Sequence, residues 1–171
     1  HQRGYFLEGL KKLGIDYEKE PPAVVAAKYH FFSNELGGVE VEMVVESPKK
    51  AWVRYICPPQ GSGVAYLAIP PRAGRATFAG WHAHNGVRLN APRLGFVLSK
   101  GFTEGEPWTE GYFMEYDHDL TEEERLQFDS TATMPEFDRE TGPKLDRELW
   151  PPDRRSKALR NFVRGYVEES V

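Results

Sequence analysis

Apolar and polar positions alternate along this chain with two periods, and each change of period marks an element. Between Tyr5 and Ile15, Phe6, Leu7, Leu10 and Leu13 recur at helical spacing, with Lys11 and Lys12 on the other side. That spacing predicts a short amphipathic helix. Pro21-Pro22 opens a second helix, because the amide hydrogen that proline lacks would be unpaired in a first turn anyway. Its apolar stripe runs through Val24, Val25, Ala27, Phe31, Phe32 and Leu36, and Gly37-Gly38 ends it, glycine taking positive φ without steric cost.

The period then drops to two. Val39, Val41, Met43 and Val45 alternate with Glu40 and Glu42, the pattern of a half-buried strand. Ser47-Pro48-Lys49-Lys50 makes the turn, and Ala51 to Cys57 supplies the second strand of an antiparallel hairpin. Pro58 to Gly63 interrupts regular structure, and Val64 to Ile69 fits helix or strand equally well. Small residues dominate Gly74 to His84, which reads as a central helix stopped by Asn85-Gly86. Leu94 to Lys100 and Thr109 to Asp117 form a second hairpin across the stretch Gly101 to Trp108.

Thr121 and Glu124 fit a capping box opening a short helix that runs to Phe128. Residues 129–152 are polar and punctuated by proline, and read as an irregular surface arm. Residues 153–169 form a C-terminal helix with Ala158, Leu159, Phe162, Val163, Tyr166 and Val167 at helical spacing. The expected fold is therefore a single α+β domain over residues 1–171. Two antiparallel β-hairpins form a curved sheet packed against N-terminal, central and C-terminal helices.

Composition narrows the function classes. A chain of 171 residues can bury a real core without staples. Aromatics at 13%, with 16 Gly and 13 Pro, suit substantial loops and an aromatic-lined cavity. The single Cys57 excludes an intramolecular disulfide and a cysteine-rich metal site, and leans towards an intracellular chain, so a cytoplasmic location is the expectation. A net charge of −4 provides no general field for nucleic acid or an anionic membrane. No apolar run approaches the roughly 18 residues of a membrane helix. His1-Gln2-Arg3-Gly4 has no secretory pattern and no initiator methionine, which fits a chain trimmed from something longer.

Candidate chemistry begins at His82-Ala83-His84. On a strand the two imidazoles would share a face and could grip one ion, whereas on a helix they diverge by about 200°. The helical reading therefore assigns no metal to the pair, and leaves open a site that uses one of them with His30, His118 or a carboxylate. Cys57, at a strand end before Pro58-Pro59, would need a nearby base or cation to become a nucleophile. Gly111, Phe113 and Glu115 share one strand face. Turned inward, Glu115 would be a buried general acid or base; the outward, solvated placement is the expected one. Arg72, Arg75, Arg88 and Arg93 bracket the central helix, where a guanidinium fork such as that of Arg75 could clamp an anionic ligand. On the terminal helix, Arg154, Arg155, Lys157, Arg160 and Arg164 flank the apolar stripe. With Glu168 and Glu169 following, that helix reads as core-packing or dimer-packing, so a homo-oligomer formed through it is one option.

The stretch from Val39 to Asp117 resembles the small ligand-handling domain of the 4-vinyl reductase type, and is similar to L-2-amino-thiazoline-4-carboxylic acid hydrolases. The residues behind the likeness are the hairpin ending in Cys57-Pro58, the small-residue helix, and the segment Gly105-Glu106-Pro107-Trp108-Thr109-Glu110-Gly111-Tyr112-Phe113. Where that domain type commonly carries cysteine in its second hairpin, Trp108 and Thr109 stand here. The resemblance implies a cavity between helices and sheet that accepts a small organic molecule, without specifying a cofactor.

The expectation is thus a small-molecule-binding domain acting as sensor, carrier or subunit of a larger assembly. Tyr55, Phe78, Trp81, Phe96 and Phe113 would line its pocket, with Arg75 as a polar anchor. The rival is a hydrolase of a small cyclic or carboxylated compound using Cys57, His82, His84 and Glu115; a third reading is a structural interaction module. Convergence separates the first two, since an enzyme needs at least two of its chemical groups within hydrogen-bond reach at one pocket.

Overall fold

The computed structural model describes residues 2–56 and 70–169, with side chains over 6–56 and 70–161. Helix α1 (Gln2–Lys12) buries Phe6 and Leu10 and leaves Lys11 and Lys12 exposed, as its stripe requires. Helix α2 (Pro22–Leu36) begins behind Pro21 and is followed by Gly38 at φ 75°. It is buried over most of its circumference (Ala23 to Ala27, then His30 to Phe32), because it lies across strands of the sheet and also meets the C-terminal helix. Each fully buried Val or Phe on such a helix contributes about 1.5–3 kcal/mol, so α2 is the principal helical element of the core.

Strands β1 (Val41–Ser47) and β2 (Lys50–Tyr55) pair antiparallel, as do β3 (Leu94–Lys100) and β4 (Thr109–Glu115). The two pairs join through β2 and β4, with Val53 opposite Gly111 and Ala51 opposite Phe113. Strand β5 (Leu126–Phe128) adds to the far edge, parallel to β3, giving the order β1-β2-β4-β3-β5. The result is an α+β fold on a mixed, five-stranded sheet. One sheet face, with Met43, Val53, Phe96 and Phe113, looks into the main hydrophobic core.

Two expectations are corrected here. Residues 121–128 do not form a helix. A single 3-10 turn (Glu123–Arg125) leads straight into β5. The cap survives in part, with the Thr121 amide donating to Glu124 Oε2 at 2.8 Å. A stretch of eight residues has too little apolar surface to hold a helix alone, while the open edge of β3 supplies backbone partners for Leu126, Gln127 and Phe128.

Asn85-Gly86 is not a stop either. The central helix α3 (Pro71–Trp81) ends earlier, and Asn85 starts a short helix α4 (Asn85–Leu89) that closes on Asn90 at φ 57°. Gly86 serves close approach instead. A Cβ there would lie 2.6 Å from the Leu94 carbonyl oxygen and 2.8 Å from that of Ala91.

The stretch after Phe128 has no regular element until α5 (Pro152–Glu169), yet it is anchored. Met134, Leu145 and Trp150 are buried, and the Trp150 indole donates to the Lys12 carbonyl at 3.0 Å. Among the described residues no helix is long and apolar enough to cross a membrane. Cys57 and the segment Val64 to Ile69 lie outside the described residues.

Candidate functional site

Three elements bring polar side chains to one buried point. His30 projects from α2, His82 caps the C-terminus of α3, and Asn85 opens α4. All three are almost fully buried, at 6%, 2% and 0% exposure. The backbone explains the grouping on the α3–α4 side. The chain leaves α3 at His82, and the Asn85 amide donates back to the His82 carbonyl at 3.1 Å. The short connection therefore presents both side chains to the core.

The two imidazoles stack, with centroids 4.0 Å apart and planes 12° from parallel. Phe113 from β4 lies nearly parallel to both, at 5.4 Å from His30 and 5.7 Å from His82. Phe96 from β3 sits 4.4 Å from His82, and Phe78 from α3 sits 4.7 Å from it. Tyr55, at the end of β2, meets His82 edge-on, and its hydroxyl lies 2.8 Å from His82 Nε2. Asn85 Nδ2 lies 2.7 Å from His30 Nε2. His82 Nδ1 and Asn85 Oδ1 are buried and have no hydrogen-bond partner among the described residues.

Burial dominates the protonation of this pair. It holds His30 down to about 3, helped by the positive charge of Arg88. His82 also lies well below the usual imidazole range, first through burial and then through His30 beside it. Both rings are therefore neutral near pH 7. Each then has one donor and one acceptor nitrogen.

Of the residues anticipated for a ligand wall, Tyr55, Phe78, Phe96 and Phe113 meet around His82. Trp81 points elsewhere and is 41% exposed. Arg75 is also outside the cluster, its guanidinium held by Glu104 at 2.6 and 3.1 Å and lying over the Phe128 ring. Of the described groups anticipated for catalysis, only His82 belongs to the cluster, Cys57 lying outside the described residues. His84 is exposed, with Nδ1 2.9 Å from the Ala79 carbonyl oxygen, so the two histidines face opposite sides of the turn. Among the described residues no group of three or more His, Cys, Asp and Glu side chains is placed to hold a metal ion.

The expected outward placement of Glu115 is only half met. Its strand face does turn inward, with Phe113 fully buried, but Glu115 sits at the strand end and is half-buried. The buried carboxylate of this strand is Glu110, on the opposite face. Its Oε2 accepts from Arg54 Nε at 2.7 Å and Trp108 Nε1 at 3.2 Å, and its Oε1 from Ser99 Oγ and the Met134 amide, both at 3.1 Å. Arg54 continues to Glu42 at 2.8 Å. With both oxygens engaged, Glu110 ties the arm to the back of the sheet and offers no open lone pair for chemistry.

His30, Asn85 and Glu110 are not among the site residues expected from the sequence. His30 had a signal, since it falls three and seven residues after Ala27 and Ala23 on the buried side of α2. Asn85 and Glu110 had none in their local pattern.

A separate cleft of about 420 Å³ opens between the α1–α2 connection, β1 and residues 141–146. Leu13, Phe32 and Met43 form its apolar part, and the paired Lys28 and Glu20 stand beside it. None of the residues anticipated from sequence lines it.

In comparisons with known proteins, no family model matches the chain, and no curated protein or solved structure matches it either.

Proposed function

We propose that this chain is a small-molecule-binding domain whose ligand lies against the His30–His82 cluster. The single observation behind this reading is a pair of buried atoms, His82 Nδ1 and Asn85 Oδ1, that have no partner among the described residues and are set among aromatic rings. A buried polar atom without a partner costs about 1–3 kcal/mol, a penalty that a ligand's hydrogen bond removes. Apolar walls with one or two polar anchors are what a binding site needs. The likeness of Val39–Asp117 to the 4-vinyl reductase type of ligand-handling domain favours the same reading.

A hydrolase reading has less to draw on. Of its four groups, His84 faces solvent and Glu115 makes no hydrogen bond with His82 among the described residues. The role that follows is that of a cytoplasmic sensor, carrier or subunit. A second copy is a fitting partner for α5, where Leu159 is 41% exposed.

Native mass spectrometry with elemental analysis of freshly purified protein tests the proposal. A co-purified small molecule that is lost in His82→Ala while the fold persists supports it. Binding that survives both His82→Ala and Asn85→Leu places the ligand elsewhere and overturns it.

A further inference from the structure

The two unpartnered atoms also specify what kind of molecule suits them. The Tyr55 hydroxyl lies 2.8 Å from His82 Nε2; with the hydroxyl as donor, the neutral ring carries its proton on Nδ1. His82 Nδ1–H is then a donor with no acceptor among the described residues. Asn85 donates through Nδ2 to His30 Nε2, which leaves Oδ1 as an acceptor with no donor among the described residues. One donor and one acceptor thus project from residues three apart on the same turn, joined through the Asn85 amide and the His82 carbonyl.

Charge limits the choice further. The cationic influence on the pair comes from Arg88, which acts on His30 while its guanidinium lies over Phe6. A cation there would be repelled by Arg88, and an ion of either sign would give up its hydration for two neutral imidazoles and an amide. Shape limits it too. Phe78 and Phe96 are only 8° from parallel, 6.0 Å apart, and His82, His30 and Phe113 stack beside them, so the walls are flat. Helix α3 buries none of its residues, and its half-buried Phe78 is the ring that covers His82 from that side.

We infer that the cluster takes an uncharged, planar ligand presenting a carbonyl oxygen beside an N–H, the edge shared by cyclic lactams and primary amides. The ligand carbonyl accepts from His82 Nδ1–H, and its N–H donates to Asn85 Oδ1. No bond is made or broken. The inference rests on the reading of this cluster as the binding site.

The test uses the intact chain with ¹⁵N-labelled histidine, titrated separately with 2-pyridone, benzoate and toluene. The unliganded spectrum should show His82 protonated on Nδ1; protonation on Nε2 would overturn the inference at once. With 2-pyridone the His82 nitrogen resonances should shift at concentrations at least about tenfold below those needed for benzoate or toluene, the worth of one good buried hydrogen bond. Asn85→Leu should weaken 2-pyridone by about tenfold and leave toluene unchanged. If benzoate or toluene binds at His82 as tightly as 2-pyridone, the ligand class is wrong while the site stands. If no probe moves the His82 resonances, both the ligand class and the site fall.

Discussion

The imidazole of His30 lies 4.0 Å above that of His82, nearly parallel to it, although 52 residues separate them in the chain. Their contact closes α2 against the α3–α4 connection, and Phe113 of the sheet continues the stack. Any event that charges or removes one of the rings is therefore felt where helix and sheet meet.

Acid should unfold this protein earlier than its carboxylates alone would dictate. The folded-state pKa of His30 is lowered from 6.5 to about 3, and His82 is displaced in the same direction. The unfolded chain then binds more protons than the folded one between those values. Stability is complete above about pH 6.5 and falls as the pH drops towards 3. At about 1.4 kcal/mol per pH unit, His30 alone corresponds to on the order of 5 kcal/mol across that window. Urea midpoints measured from pH 7.5 to 4 should fall steeply, and His30→Phe should flatten the curve. A flat wild-type profile would show that neither ring is buried as described.

Glu110→Gln should be among the most destabilising surface-distant substitutions, by about 3–5 kcal/mol, because Arg54 stays behind with its buried partner uncharged. Replacing both residues, Arg54→Met with Glu110→Leu, should cost less than Glu110→Gln alone. Chemical denaturation of the wild type, Arg54→Met, Glu110→Leu and the double variant gives the coupling directly.

Gly86→Ala should cost about 1–3 kcal/mol despite the better helix propensity of alanine. The new methyl would press on the Leu94 and Ala91 carbonyls, both backbone atoms with little room to yield. Thermal unfolding measures the loss. Because α4 carries Asn85, the histidine ¹⁵N resonances should move in the same variant.

Trp150→Ala should loosen the arm before it loosens the sheet. Its indole fills a buried site and holds the Lys12 carbonyl. Limited proteolysis should cut within residues 129–151 at least about tenfold faster in the variant, provided that Met134 and Glu110 keep the far end attached. Unchanged cleavage would mean that the arm is held elsewhere.

Much of this fold was legible in the chain because it rests on local periodicity. The 3.6-residue stripe of α2, the alternation of Val41, Met43 and Val45, and the glycines after Leu36 each act within a few residues. Four aromatic members of the candidate site were legible for the same reason. Each lies on the apolar side of its own element.

The tertiary structure decided the rest. β5 is a strand because the edge of β3 happens to be open beside it, which no local propensity records. Asn85 and Gly86 look like a stop in sequence, but they serve a helix start and a close approach to the Leu94 carbonyl. The partners of His82 come from β2, from α2 and from the sheet, and Glu110 is neutralised by Arg54, 56 residues away. Hydrogen bonds and ion pairs between distant segments depend on how elements dock. Docking is governed by the shapes of whole buried faces, whereas a sequence pattern shows only which residues belong to each face.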